Sequence, residues 1–70
     1  QLAKPSTDIY RLAVRMIGLP AGECLFIDDA QVNVEAARSA GLQGAWLDVD
    51  QPDALASILR PYLREETSPA

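Results

Sequence analysis

Residues 24–27, Cys-Leu-Phe-Ile, form an apolar run that does not alternate and stops abruptly at Asp28-Asp29. A strand with one face in water alternates apolar and polar side chains, whereas an unbroken run reads as a strand buried on both faces. Covering both faces is demanding for a chain of 70 residues, because a fold of that size buries only about 60% of the surface its unfolded form exposes. The usual aids to small domains are missing. One cysteine forms no internal disulfide, and one cysteine without any histidine builds no zinc site. The lack of histidine also excludes Ser-His-Asp and Cys-His catalysis. The chain opens on Gln1 rather than methionine, and the expectation is a piece of something longer.

The segments around the run have an order. Ser6 or Thr7 can cap a first helix that starts near Thr7, with Asp8 in its first turn. Ile9, Leu12, Ala13, Met16 and Ile17 fall at helical spacing, Arg11 and Arg15 lie off that stripe, and Gly18 is placed to end the helix. After the strand, a second helix is expected over residues 32–40, closed by Gly41, with Ala36, Ala37 and Ala40 small enough for close packing on a sheet. Residues 42–47 read as a second strand. A third helix is expected from Pro52, with Leu55, Ile58, Leu59 and Tyr62 on one face and Pro61 cutting it short. Residues 63–70 read as a frayed polar tail.

Helix, strand, helix, strand, helix with short loops implies parallel strands. The fold class is α/β: a Rossmann-like three-layer α/β/α arrangement, represented by a βαβ unit with flanking helices. Sheets average about five or six strands, so residues 1–70 read as one flank of a larger parallel sheet.

Three groups of residues could carry chemistry. Asp28 and Asp29 sit where a strand ends, and ligands of open α/β sheets bind outside the carboxyl ends of the strands. Adjacent carboxylates repel, and a divalent cation such as Mg²⁺ would relieve that; either Asp could instead cap the second helix. Asn33 is a poor helix former one turn into that helix, and Lys4 taken alone is a surface charge. Asp48-Val49-Asp50 also follows a strand, but the better account is Asp50 as N-cap of the third helix. Cys24 reads as a small buried hydrophobe, Trp46 as sheet packing, and the four glycines form no phosphate-cradling pattern.

Lys4-Pro5 ahead of an Ile9-Tyr10 helix, then Leu25-Phe26-Ile27-Asp28-Asp29, then Asn33-Val34-Glu35-Ala36-Ala37-Arg38 and Ala40-Gly41, resembles the C-terminal half of haloacid dehalogenase-like hydrolases over residues 4–47. The resemblance implies that Lys4 neutralises a nucleophilic aspartate and the transferring phosphoryl group. It implies Asp29 as the more direct Mg²⁺ ligand, Asp28 as an outer-sphere ligand or the partner that orients Lys4, and Asn33 as support. Asp-Asp resembles the Mg²⁺-dependent phosphatases of the family, whereas its dehalogenating members carry Ser-Ser-Asn there. In the family the nucleophile lies in an Asp-x-Asp-Gly-Thr segment upstream of everything in this chain. The implied function is half of a phosphatase site whose partners are the remainder of the parent chain and a small phosphorylated substrate. The alternative is a non-catalytic truncated or split-chain module that binds only its complementary half. A net charge of −4 is the wrong sign for a nucleic-acid backbone binder. No apolar run reaches the ~18 residues of a membrane helix, so membrane binding is not expected and the location expected is cytoplasmic.

Overall fold

The computed structural model describes residues 6–63, so Lys4 and the tail from 64 to 70 lie outside the described residues. The chain forms α1 (Thr7–Ile17), β1 (Leu25–Asp28), α2 (Gln31–Ser39), β2 (Gln43–Trp46) and α3 (Ala54–Leu59). The two strands pair in parallel, with Leu25 opposite Gln43 and Asp28 opposite Trp46. This is the expected βαβ unit with flanking helices, each element within about two residues of its expected bounds.

Local chemistry sets the ends of the elements. The Asp8 N–H donates to Ser6 Oγ at 3.0 Å, which satisfies one of the free amides of α1. Gly18 ends α1 at φ 85°, its N–H donating to the Val14 carbonyl at 2.9 Å. Ser6→Ala is therefore expected to lower stability by about 1 kcal/mol, measured as a shift in the urea midpoint. Pro61 stops α3 at Leu59, and residues 60–62 tighten into a 3₁₀ turn.

Side-chain parity divides the sheet. Phe26, Asp28, Gly44 and Trp46 share one face. On that face Tyr10 of α1 meets Phe26 edge-on at 5.0 Å between ring centroids, and Asn33 of α2 reaches Asp28. Gly44 lies so close under α2 that a Cβ there would stand 2.9 Å from both Val34 Cγ1 and Arg38 Cγ and 3.1 Å from the Val34 carbonyl oxygen. The buried residues are Cys24, Val34 and Ala37, the last two at 2% and 0% exposure. Cys24 is the buried hydrophobe expected, its thiol 3.6 Å from the Pro20 carbonyl. The opposite face carries Leu25, Ile27, Gln43 and Ala45, and there the Tyr62 hydroxyl donates to Gln43 Oε1 at 2.7 Å.

The apolar stripe of α1 faces the other way from its expected burial. Ile9 is 61% and Met16 78% exposed, with Leu12 and Ile17 also open, while Tyr10 and Val14 turn inward. The reason is that α1 has apolar residues on two sides. Asp8, Arg11 and Arg15 occupy the remaining side, where Arg11 pairs with Asp8 at 3.7 Å. The side bearing Tyr10 and Val14 has Phe26 and α2 to pack on, and nothing among the described residues covers the other.

Candidate functional site

The carboxyl end of β1 brings the acidic pair to the start of α2. The strand runs through Asp28, and α2 begins at Gln31 with Ala30 as its N-cap residue. Neither aspartate occupies the cap position, so the capping alternative does not hold. Asp28 Oδ2 instead accepts the Ala30 N–H at 2.9 Å and the Asn33 side-chain amide at 3.0 Å. These two donors fix the Asp28 carboxylate. They also explain Asn33, a poor helix former, in the first turn: its amide reaches back over that turn to the strand end. Asp28 is half-buried.

Asp29 behaves differently. It is exposed, and among the described residues its carboxylate takes part in no hydrogen bond or ion pair. Its backbone, by contrast, is held. The Leu47 N–H donates to the Asp28 carbonyl at 2.8 Å, and the Trp46 indole Nε1–H donates to the Asp29 carbonyl, also at 2.8 Å. Trp46 was expected to be sheet packing, yet it is 44% exposed and makes this bond. Only the strand register, which sets Trp46 opposite Asp28, could have revealed it.

Asp28 and Asn33 are thus in contact, and Asp29 lies beside them with a carboxylate unbonded among the described residues. The donor set suits Mg²⁺. Asp28 Oδ1 and both Asp29 oxygens are hard ligands without protein donors among the described residues. Among those residues no cluster of three or more His, Cys, Asp or Glu forms a metal cage. Mg²⁺ characteristically takes one or two carboxylates and completes its shell with water and phosphate.

The second acidic segment is occupied locally. Asp48 Oδ1 accepts the Asp50 N–H at 3.1 Å, and the Gln51 N–H donates to the Asp48 carbonyl at 3.0 Å. The expectation that Asp50 caps the third helix is overturned. Two successive turns, Asp48 to Gln51 and Gln51 to Ala54, delay that helix to Ala54 and leave Asp53 at its cap position without a side-chain bond.

A parallel βαβ unit with polar groups gathered at the carboxyl end of its strand is the organisation of an α/β ligand-binding enzyme core. The sequence pattern of haloacid dehalogenase-like hydrolases matches residues 1–41, more than half of the chain, and the chain belongs to that family. It is 47% identical over 45 residues to enolase-phosphatase E1 of Stenotrophomonas maltophilia, covering 64% of this chain and 20% of that protein. It is 42% identical over 41 residues to the plasmid-encoded protein CbbY of Cupriavidus necator, covering 59% of this chain and 16% of that one. With enolase-phosphatase E1 of Marinobacter nauticus the identity is 33% over 61 residues, 84% of this chain and 26% of the relative. The chain spans about a fifth of the length of the curated relatives it matches.

Proposed function

We propose that residues 1–70 are the C-terminal part of the core domain of a Mg²⁺-dependent, cytoplasmic phosphatase, carrying the charge-stabilising half of its site. The observation that carries this reading is the division of labour in the acidic pair: Asp28 is held by Ala30 and Asn33, while Asp29, at the strand end, has a carboxylate that no other described residue engages. Asp29 is the direct cation ligand, Asp28 holds the outer sphere and orients Lys4, and Asn33 keeps Asp28 in place. When bound, Mg²⁺ supplies positive charge against the phosphoryl oxygens, where charge stabilisation dominates catalysis. Lys4 adds a second positive charge. A small phosphorylated molecule is the substrate.

The nucleophile comes from the complementary part of the core. The sequence holds a single Asp-x-Asp segment, Asp48-Val49-Asp50, and Asp48 is engaged in its own turn. The exposed surfaces fit such a complement. On β2 the outer edge is covered, because the Arg38 guanidinium donates to the Gly44 carbonyl from Nε and Nη2 at 3.2 and 2.8 Å. On β1, Cys24 and Asp28 bond toward β2 through Gln43 and Leu47, so by alternation Leu25 and Ile27 point their amide groups to an edge that nothing among the described residues covers. That bare edge receives the next strand of the core, and the Ile9, Leu12 and Met16 side of α1 is covered by the same complement.

The test is hydrolysis of p-nitrophenyl phosphate. The 70-residue chain alone is expected to give no turnover with or without Mg²⁺, and the chain joined to the remainder of a family core is expected to give Mg²⁺-dependent turnover. Metal-dependent hydrolysis by the isolated chain, abolished by Asp48→Asn, would show that Asp48 is the nucleophile and that the half-site reading is wrong.

A further inference from the structure

Asp29 is exposed and its carboxylate is unbonded among the described residues, so its direction depends on how its backbone is held. The carboxylate of its neighbour Asp28 accepts from the Ala30 N–H and the Asn33 side-chain amide, and the Asp28 carbonyl accepts from the Leu47 N–H. Asp29 has one anchor, the indole N–H of Trp46 on its carbonyl. A tryptophan 44% exposed at the end of a strand contributes little to a core made of Cys24, Val34 and Ala37. Its ring lines an open cleft of about 510 Å³ with Asp48, Gln51 and Ser57, and a smaller one against Gln31 and Arg38. The ring is therefore partly packed, beside Val34 among others, and partly open to solvent, so packing is a weak constraint on its direction. The bond from Nε1 fixes it.

We propose that Trp46 is a positioning residue for the cation site: by holding the Asp29 carbonyl, it sets the direction in which the Asp29 carboxylate leaves the strand end. With the Asp28 carbonyl fixed by Leu47 and the Asp29 carbonyl fixed by Trp46, two successive peptide units of the turn are pinned from β2. The side chain between them is then the remaining freedom. A ligand whose backbone is already fixed binds its cation without first ordering that segment, and groups that orient metal ligands typically change affinity about 10- to 100-fold. The proposal rests on the reading of Asp29 as a cation ligand, and its test separates the two.

Trp46 is the single tryptophan of the chain, so a ¹⁵N-labelled sample gives one indole N–H resonance. In the 70-residue chain that proton is expected to exchange with solvent more slowly than in urea; exchange at the unfolded rate would overturn the proposal without touching the role of Asp29. Titration with MnCl₂ alone is expected to broaden the Asp29 and Ala30 amides and the indole N–H selectively. Asp29→Asn should abolish that broadening, and unchanged or absent broadening would overturn the cation reading together with the proposal. Trp46→Phe should weaken Mn²⁺ about tenfold while leaving the Asp29 ligand chemistry intact. The benzothiophene isostere of tryptophan at position 46, which keeps the ring shape and replaces N–H by sulfur, should weaken it equally with the urea midpoint unchanged. Wild-type Mn²⁺ affinity in the isostere, with Asp29→Asn still inactive in binding, would overturn the positioning role alone.

Discussion

Asp29→Asn is expected to lower kcat about a hundredfold in the phosphatase proposed to contain this chain, equivalent to about 3 kcal/mol of lost transition-state stabilisation. The substitution preserves shape and one carbonyl oxygen and removes the charge. Because Asp29 is not the N-cap and its carboxylate is unbonded among the described residues, no folded-state contact is lost. Stability should stay within about 0.5 kcal/mol of wild type. Lys4→Met should act in the same direction, since it keeps the length of the side chain and deletes its charge. The measurement is kcat against Mg²⁺ concentration, with a melting curve on the same samples. A lower melting temperature with an unchanged Mg²⁺ titration would mark the acidic pair as scaffold and favour a non-catalytic module that only binds its complementary half.

Gly44→Ala is expected to have the largest effect on stability, a loss of about 2–3 kcal/mol. The added Cβ would lie 2.9 Å from Arg38 Cγ and from Val34 Cγ1, and 3.1 Å from the Val34 carbonyl oxygen. Arg38 can swing away, but doing so uncovers the Gly44 carbonyl it now bonds and opens the outer edge of β2. Val34 cannot yield so easily. It is 2% exposed, its branched side chain has few rotamers, and its carbonyl belongs to the helix. The whole of α2 must therefore lift from the sheet, taking Asn33 away from Asp28. Gly22→Ala is the control: nothing lies within 4 Å of a Cβ there. Urea denaturation of both variants should show a large loss for Gly44 and none for Gly22. A Gly44→Ala protein as stable as wild type would mean that the close approach of α2 to β2 is not required.

The two predictions differ in how far the sequence anticipates them. Asp28 and Asp29 stand out in the chain because an unbroken apolar run ends on them, and a strand end is a place where carboxylates meet ligands. Gly44 read from the chain alone is only a glycine inside a strand, which weakens it. Its purpose appears only when α2 is laid across β2, since the atoms that crowd it come from residues six and ten positions earlier in the chain. The same limit applies to the caps. Ser6 capping α1 involves an amide two residues away and was legible. The role of Asp50 was misassigned because it depends on where the neighbouring turns close, and two successive turns move the cap position three residues on to Asp53.

By itself the sequence determined the succession of elements, the ends of the helices at Ser6, Gly18, Gly41 and Pro61, and the placement of two acids at the end of an apolar strand, whose residues 25–28 are half-buried rather than buried on both faces among the described residues. Those features depend on residues within one or two turns of each other, where steric limits and single hydrogen bonds decide the outcome. The tertiary structure alone decided which side of α1 turns inward, which edge of the sheet Arg38 covers, and that Trp46 grips Asp29 from the neighbouring strand. α1 offers two apolar sides of similar character, so the choice rests on whether Phe26 and α2 are there to meet one of them. The grip of Trp46 depends on strand register, and a shift of one residue would turn its ring to the opposite face of the sheet. Contacts between segments 17 residues apart, as Asp29 and Trp46 are, leave no periodic trace in a single chain, because neither partner changes the pattern of the segment in which it lies.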